Sequence, residues 1–231
     1  MIYPRLWLKH VKARRAIVNY PIYDVPNKQE ERTLEEPRVQ ENFVYFMRVR
    51  LDRLSFFQQW LREWFGVRAT LNGNGLLALN EWGNAYGGGL IGDFPNMSTI
   101  FAIYHPAWRG EYGGYNVMVD IGILIGEYLI AKRPQLHWEI YRGHPDEDGE
   151  LTGPNLKRPQ LSGFPRGWGD DLLGLGYGVV ADSRMRSHIG HRPSVGDPDG
   201  MIKQCKSSLY LANVPDDDKA FIVGDCTNEP I

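Results

Sequence analysis

Residues 115–141 read YNVMVDIGILIGEYLIAKRPQLHWEIY, and this apolar stretch decides the expected fold. Asn116 can cap a helix that runs from Val117 to about Ala131. Pro134 disfavours helical geometry in the residue before it and ends the helix. Because apolar side chains occupy nearly every position, the helix has no polar face, which is typical of a core helix or a membrane span. The run is shorter than the roughly 20 apolar residues of a span and contains two acids, so we predict a core helix.

Two glycines and two acids mark positions where this helix must meet other parts of the protein. Gly122 and Gly126 lie four residues apart on one face, so we expect another element to approach closely there. Asp120 and Glu127 lie seven residues apart and also share a face. A buried carboxylate must be paired, hydrogen-bonded or protonated. The two acids are therefore either structural, with one bound to an arginine or a loop backbone, or a pair of catalytic carboxylates.

Hydrophobic periodicity predicts the remaining elements. Apolar residues alternate with polar ones over 137–141, which indicates a half-buried strand. A strand near 44–50 is followed by helical spacing, which predicts an amphipathic helix over 52–65 that ends at Gly66. The Asn-Gly pairs at 72–75 are hairpin signals. Further short strands are expected at 77–81, 99–104, 179–181, 209–211 and 220–224.

These elements predict an α+β fold. We expect the 231 residues to form a single domain, with a mixed or mainly antiparallel sheet packed against two main helices, 52–65 and 117–131. The 26 glycines and 15 prolines indicate long loops rather than an all-helical bundle. Residues 21–41 are polar and begin with Pro21, so we expect them to form a surface arm.

Charge, cysteine content and the N-terminal residues bear on the kind of binding partner and on the cellular compartment. A net charge of −2 is at odds with a general nucleic-acid footprint, which needs a basic patch, so we expect no nucleic acid. The chain has two cysteines, Cys205 and Cys226, which are more typical of free thiols in a reducing compartment than of a disulfide scaffold. The first fifteen residues lack the order of a signal peptide. We therefore expect a cytoplasmic protein with no membrane partner.

No motif in the sequence identifies an activity, and the first functional hypothesis is a non-enzymatic binding protein. Its form could be a bacterial immunity or inhibitor-type protein that contacts another protein and needs no cofactor. Aromatic side chains and arginine are common anchors of protein interfaces, and Gly-rich loops often present binding residues. The candidate binding residues lie in or beside the loops 83–94 and 106–115: Trp82, Tyr86, Trp108, Arg109 and Tyr112.

The alternative hypothesis is a metal-assisted hydrolase. His188 and His191 are three residues apart, and with Asp182 they could bind a divalent metal such as zinc. Asp120 or Glu127 would then act as general base on a metal-bound water. Nearby glycine, proline and arginine residues weigh against a helical metal site. The enzyme is favoured if the segment 188–191 and the acids of the central helix meet in one pocket.

Overall fold

A computed structural model describes residues 4–91, 106–145, 147–153, 155–187, 197–214 and 229–231. Within these ranges the chain forms six α-helices: α1 Pro4–Ala16, α2 Glu36–Phe65, α3 Gly73–Tyr86, α4 Gly114–Lys132, α5 Leu172–Ser187 and α6 Gly200–Leu211. The described strands lie between α4 and α5: β1 His137–Ile140, β2 His144–Pro145, β3 Leu151–Thr152, β4 Pro159–Ser162 and β5 Asp170–Asp171. The α+β class is confirmed in outline, with more helix than the sequence predicts.

The described sheet is small and antiparallel. β4 lies between β1 and β5, and Trp138 of β1 is opposite Leu161 of β4. β2 and β3 form a separate two-stranded ladder. The strand expected at 137–141 is therefore confirmed as β1.

α4 is the buried central helix that the sequence predicts. A side chain on Gly122 would collide with the backbone of Leu172, and one on Gly126 would collide with the Trp138 ring, so both close approaches are present. The helix begins at Gly114 rather than after Asn116, which lies inside its first turns. By length and composition the segment Gly110–Lys132 could cross a membrane, yet 83% of its apolar 18-residue stretch is buried inside the protein. That burial fits a core helix.

α2 is one 30-residue helix, so the strand expected at 44–50 is wrong. Buried residues recur along the whole helix at spacings of three, four and seven, for example at Val39, Asn42, Phe46 and Arg53. This period extends the apolar stripe of 52–65 backwards through the supposed strand. Gly66 ends the helix in the left-handed conformation, with φ 74°, as predicted.

α3 occupies the segment where the sequence predicts a hairpin and a strand at 77–81, so both expectations are wrong. The Asn72 side chain accepts a hydrogen bond from the backbone N–H of Gly75 at 3.0 Å and caps the helix. Gly75 is required there because a Cβ would lie 2.1 Å from the carbonyl oxygen of Thr70. The same Asn-Gly chemistry thus begins a helix instead of reversing a strand.

Two more predicted strands are wrong, and two lie outside the described residues. The segment 179–181 belongs to α5, and 209–211 belongs to α6. Each apolar run is part of a longer helix that also buries residues outside the run, such as Tyr177 in α5 and Cys205 in α6. The strands expected at 99–104 and 220–224 are not among the described residues.

One hydrophobic cluster joins the helices, from Ala13 near the end of α1 to Ala212 after α6. The predicted arm contributes to it, because Tyr23 and Val25 are buried in this cluster. The end of the predicted arm, from Glu36 onward, is the first turn of α2. That the 231 residues form a single domain stays a prediction.

Candidate functional site

One concavity is bounded by three segments that are far apart in the sequence. Its volume is about 650 Å³. The walls come from 14–22 at the end of α1, from 89–91 after α3, and from the loop 108–113 before α4. Asn116 of α4 completes the lining. A concavity of this size is large enough for a small ligand or for a side chain of a partner protein.

A buried ion pair is hydrogen-bonded to three residues of the cavity lining, Tyr20, Ile22 and Asn116. Arg53 of α2 donates from Nε to Oδ1 of Asp120 at 2.6 Å and from Nη2 to Oδ2 at 2.9 Å. The Tyr20 hydroxyl, which borders the cavity, donates to Oδ2 at 2.6 Å. Arg53 also donates to the carbonyl of Ile22 at 3.2 Å. Both carboxylate oxygens of Asp120 are therefore satisfied, which is what the structural interpretation of this acid requires.

Burial shifts the pKa values of Asp120 and Tyr20. It raises the pKa of Asp120 to about 6, although the charge and hydrogen bonds of Arg53 and the hydrogen bond of Tyr20 lower it. Burial and the Asp120 charge raise the pKa of Tyr20 well above its ordinary value. Tyr20 thus stays a neutral hydrogen-bond donor, and near neutral pH the ion pair with Arg53 is formed.

Asn116 joins three segments at the side of the cavity. Its Oδ1 accepts the backbone N–H of Tyr23 at 2.8 Å, and its Nδ2 donates to the carbonyls of Trp108 at 2.9 Å and Gly113 at 3.0 Å. The predicted capping role is therefore wrong, because the side chain binds backbone outside the first helical turn. The buried amide instead fixes residues 107–113, called the rim loop because they border the cavity, against the 20–23 segment.

The rim loop contains a non-glycine residue in a left-handed conformation. Ala107 has φ 71° and donates its N–H to the Tyr23 carbonyl at 2.9 Å. Such a conformation costs on the order of 1–3 kcal/mol and persists only where surrounding contacts impose it. The next residue, Trp108, is buried and stacks on Tyr115 with ring centroids 5.5 Å apart. Arg109 follows and is exposed at the cavity mouth.

A smaller groove of about 230 Å³ also borders the 14–20 segment. Two aromatic side chains of α2 are exposed there, Phe56 and Trp64. Tyr20 contacts the Phe56 ring at a centroid distance of 5.4 Å and so lies between the groove and the cavity. Arg15 borders the groove, while Arg14 borders the cavity.

The five predicted binding residues do not lie together. Trp108 and Arg109 line the cavity. Tyr112 is exposed in the same loop, outside the cavity lining. Trp82 is buried in the core on α3, and Tyr86 at the end of that helix is half-buried beneath two lysines of α1. The loop before α4 is thus the part of the predicted surface that meets a cavity.

Glu127, the second predicted catalytic acid, has partners of its own. Its Oε1 accepts hydrogen bonds from Arg50 Nε at 3.0 Å and from Trp138 Nε1 at 2.9 Å. The side chain is mostly buried. Asp120 and Glu127 therefore pair with different arginines of α2, which holds α4 against that helix at two levels.

The predicted metal site can be located only in part. His188 and His191 lie outside the described residues. Asp182 is half-buried on α5, where burial raises its pKa, Arg186 lowers it and Asp197 raises it. In the part of the chain that the structure describes, no group of three or more histidine, cysteine, aspartate or glutamate residues is arranged to hold a metal ion.

The sequence patterns did not predict a cluster of buried charged residues between the arm and the sheet. Glu31, Arg158 and Asp171 are all buried. Burial raises the pKa of Glu31 to about 8, while Arg158 lowers it and Asp171 raises it. Burial also raises the pKa of Asp171 to about 6. Glu31 lies in a polar stretch, and no local signal distinguishes it from its exposed neighbours.

No protein-family model, no curated protein and no solved structure matches this chain. The function proposed below rests on the residues of the chain itself.

Proposed function

We propose that this chain is a non-enzymatic binding protein whose cavity between the 14–22 segment and the 108–113 loop takes an acidic segment of another protein. The observation that supports the proposal best is the cavity of about 650 Å³, behind whose lining the polar groups of Tyr20, Arg53 and Asp120 already have partners. A ligand can therefore enter without displacing these hydrogen bonds.

Preorganisation supports binding at this place. Asn116 and Asp120 hold the rim loop, the 20–23 segment and α2 in fixed positions through buried hydrogen bonds. The left-handed Ala107 directs the chain so that Trp108 packs inward and Arg109 lies at the mouth. A rigid site loses less entropy on association than a flexible loop does, and so retains more of its contact energy as affinity.

The charges at the mouth indicate an acidic partner segment. Among the described residues of the lining, two exposed cations, Arg14 and Arg109, stand against one acid, Glu111. Apolar side chains such as Ile17 and Leu90 line the wall beneath them. Such a site fits a segment that places an apolar side chain inside and a carboxylate outside. Rim charges of this kind mainly accelerate association and select against basic partners.

An immunity or inhibitor-type role in the cytoplasm is one concrete form of this proposal. Such a protein acts by covering a surface of its target, so it needs anchors and a groove rather than a catalytic group or a cofactor. The exposed aromatics Phe56 and Trp64 beside the cavity supply additional contact surface. The net charge of −2 supports a protein rather than a nucleic acid as the partner.

The proposal can be tested with peptides selected on the wild-type protein from a random display library. Arg109→Glu and Glu111→Arg change the rim charge in opposite directions at two exposed positions of one loop. We expect selected peptides to be acidic, to bind Arg109→Glu about fivefold more weakly and to bind Glu111→Arg about fivefold more tightly, near 1 kcal/mol each. If the affinity of the selected peptides is the same for both variants as for the wild type, the cavity mouth is not the recognition site.

A further inference from the structure

The outward face of α1 carries a concentration of positive charge. The helix, PRLWLKHVKARRA, contains five cations and no acid. The whole chain has a net charge of −2, so the remainder carries −7. All five cations are exposed: Arg5, Lys9, Lys12, Arg14 and Arg15. Among the residues that the structure describes, none of them forms an ion pair with an acidic side chain.

Exposed apolar side chains share this face. Trp7 is 52% exposed and Leu8 is 61% exposed. With about 100° between successive residues of an α-helix, Trp7, Leu8 and Val11 point away from the buried His10 and Ala13. By the same geometry Arg14 lies on one side of this apolar strip, Arg5 and Lys12 lie on the other, and Arg15 lies within it. Lys9 and Lys12 also lie over aromatic rings, with Lys12 Nζ 5.3 Å from the Phe65 centroid.

We propose that α1 docks the protein peripherally on an anionic lipid surface. An interfacial helix needs tryptophan and leucine at the depth of the headgroups and cations beside them for the phosphates. The convex outer face of α1 meets that requirement. The excess negative charge of the remaining chain would be repelled by the same surface, which would orient the molecule with α1 towards the lipid.

This contact differs from the expectation that the protein has no membrane partner. The sequence argument excluded a spanning segment, whereas α1 would lie in the plane of the interface. An acidic protein could also bind five cations, but it would not require exposed Trp7 and Leu8 beside them on a convex helix. Trp7 and Leu8 do not line the cavity, whereas Arg14 does, so the test variants retain Arg14.

Co-sedimentation with vesicles tests the proposal. The full chain is mixed with vesicles of phosphatidylcholine alone or of phosphatidylcholine and phosphatidylglycerol in equal parts. We expect binding to the anionic vesicles only, with loss of binding at high salt because the screening length falls to about 3 Å at 1 M. Trp7→Ala with Leu8→Ala should weaken binding at least about tenfold through lost apolar burial.

A charge variant and a matched control separate α1 from general electrostatics. Arg5→Gln with Arg15→Gln should weaken vesicle binding about fivefold for each cation removed. The control, Arg38→Gln with Arg48→Gln, removes two exposed cations of α2. These lie eight or more residues before Phe56, which lines the same groove as Arg15, and so about 12 Å or more along the helix. The control should bind like the wild type.

Two results would overturn the proposal. One is failure of the wild-type chain to sediment with anionic vesicles at low salt, which would leave an acidic protein as the partner of the α1 cations. The other is an equal loss of binding in the α1 and α2 charge variants. Unchanged thermal unfolding of each variant shows that a loss of binding reflects the surface, and unchanged peptide binding shows that the cavity is intact.

Discussion

Replacing Glu31 with glutamine should remove a large part of the pH dependence of folding. The Glu31 carboxyl is buried, and burial raises its pKa from 4.5 to about 8 against the opposing charge of Arg158. Between pH 4.5 and about pH 8, the Glu31 carboxyl is deprotonated in the unfolded chain but still protonated in the folded protein. Stability is therefore greatest at acid pH and falls as the pH rises through this window. Glutamine resembles the protonated carboxyl in size and is never charged.

The magnitude follows from the shift of 3.5 units. At about 1.4 kcal/mol per unit, the full loss of stability above pH 8 is up to about 5 kcal/mol. Asp120 and Asp171 have pKa values raised to about 6, so their own contributions are complete near that pH. Between pH 6 and pH 8 the Glu31 carboxyl should contribute a loss of about 2–3 kcal/mol in wild-type stability, and comparison with Glu31→Gln separates this loss from that of other carboxyls with raised pKa values, Asp170 and Asp182.

Urea unfolding at pH 6 and at pH 8 measures this loss. We expect the wild type and the exposed control Glu35→Gln to lose stability in parallel between these pH values. Glu31→Gln should lose less than about 1 kcal/mol and should be the more stable protein at pH 8. If Glu31→Gln follows the wild type across the interval, the buried carboxyl does not retain its proton and the reasoning is wrong.

Three further predictions concern the packing of α4 and the alternative function. Arg53→Ala should cost about 3–5 kcal/mol in urea unfolding because it leaves Asp120 buried without its cation; an unchanged midpoint would contradict the buried pair. Gly126→Ala should cost about 1–3 kcal/mol, since its Cβ would lie 2.1 Å from the Trp138 ring, and thermal unfolding would show it. Elemental analysis of the purified chain should find no stoichiometric metal; zinc that disappears in Asp182→Ala would favour the hydrolase.

The central helix could be predicted because its limits depend on local chemistry. Its apolar run, the cations at its end and Pro134 act within a few residues of one another. The close approach at Gly122 and Gly126 was equally predictable, because glycine in a helix interior is unfavourable without such a contact. The partner that approaches Gly122, Leu172, was not predictable, because it lies 50 residues away in the sequence.

The short strands were mispredicted because alternation over a few residues also occurs inside helices. In α2 the decisive information was the repeat of buried residues from Val39 to Leu61, including Arg53. A polar residue that is buried by an ion pair breaks the apolar pattern seen in the sequence. At 72–75 the hairpin predicted from the Asn-Gly pairs was wrong, because Asn72 caps a helix.

The candidate site was predictable only at its loop. A Gly-rich loop with aromatic and charged residues before a core helix indicated Trp108 and Arg109, and both line the cavity. Arg14 and Val18 complete the cavity lining from 90 or more residues earlier in the sequence. No local pattern connects them with the loop. Glu31 is similar, since its burial depends on Arg158, far along the sequence.

Blocking the cavity is the most direct test of the proposed function. Val18 lines the cavity and is 76% exposed, so Val18→Trp can fill the entrance without disturbing the core. Leu51→Trp is the matched control, because Leu51 is 50% exposed on α2 and is not part of the lining. Calorimetric titration with a selected acidic peptide should show binding at least about tenfold weaker to Val18→Trp and unchanged to Leu51→Trp. Equal affinity of the peptide for Val18→Trp and the wild type would contradict the cavity as the binding site.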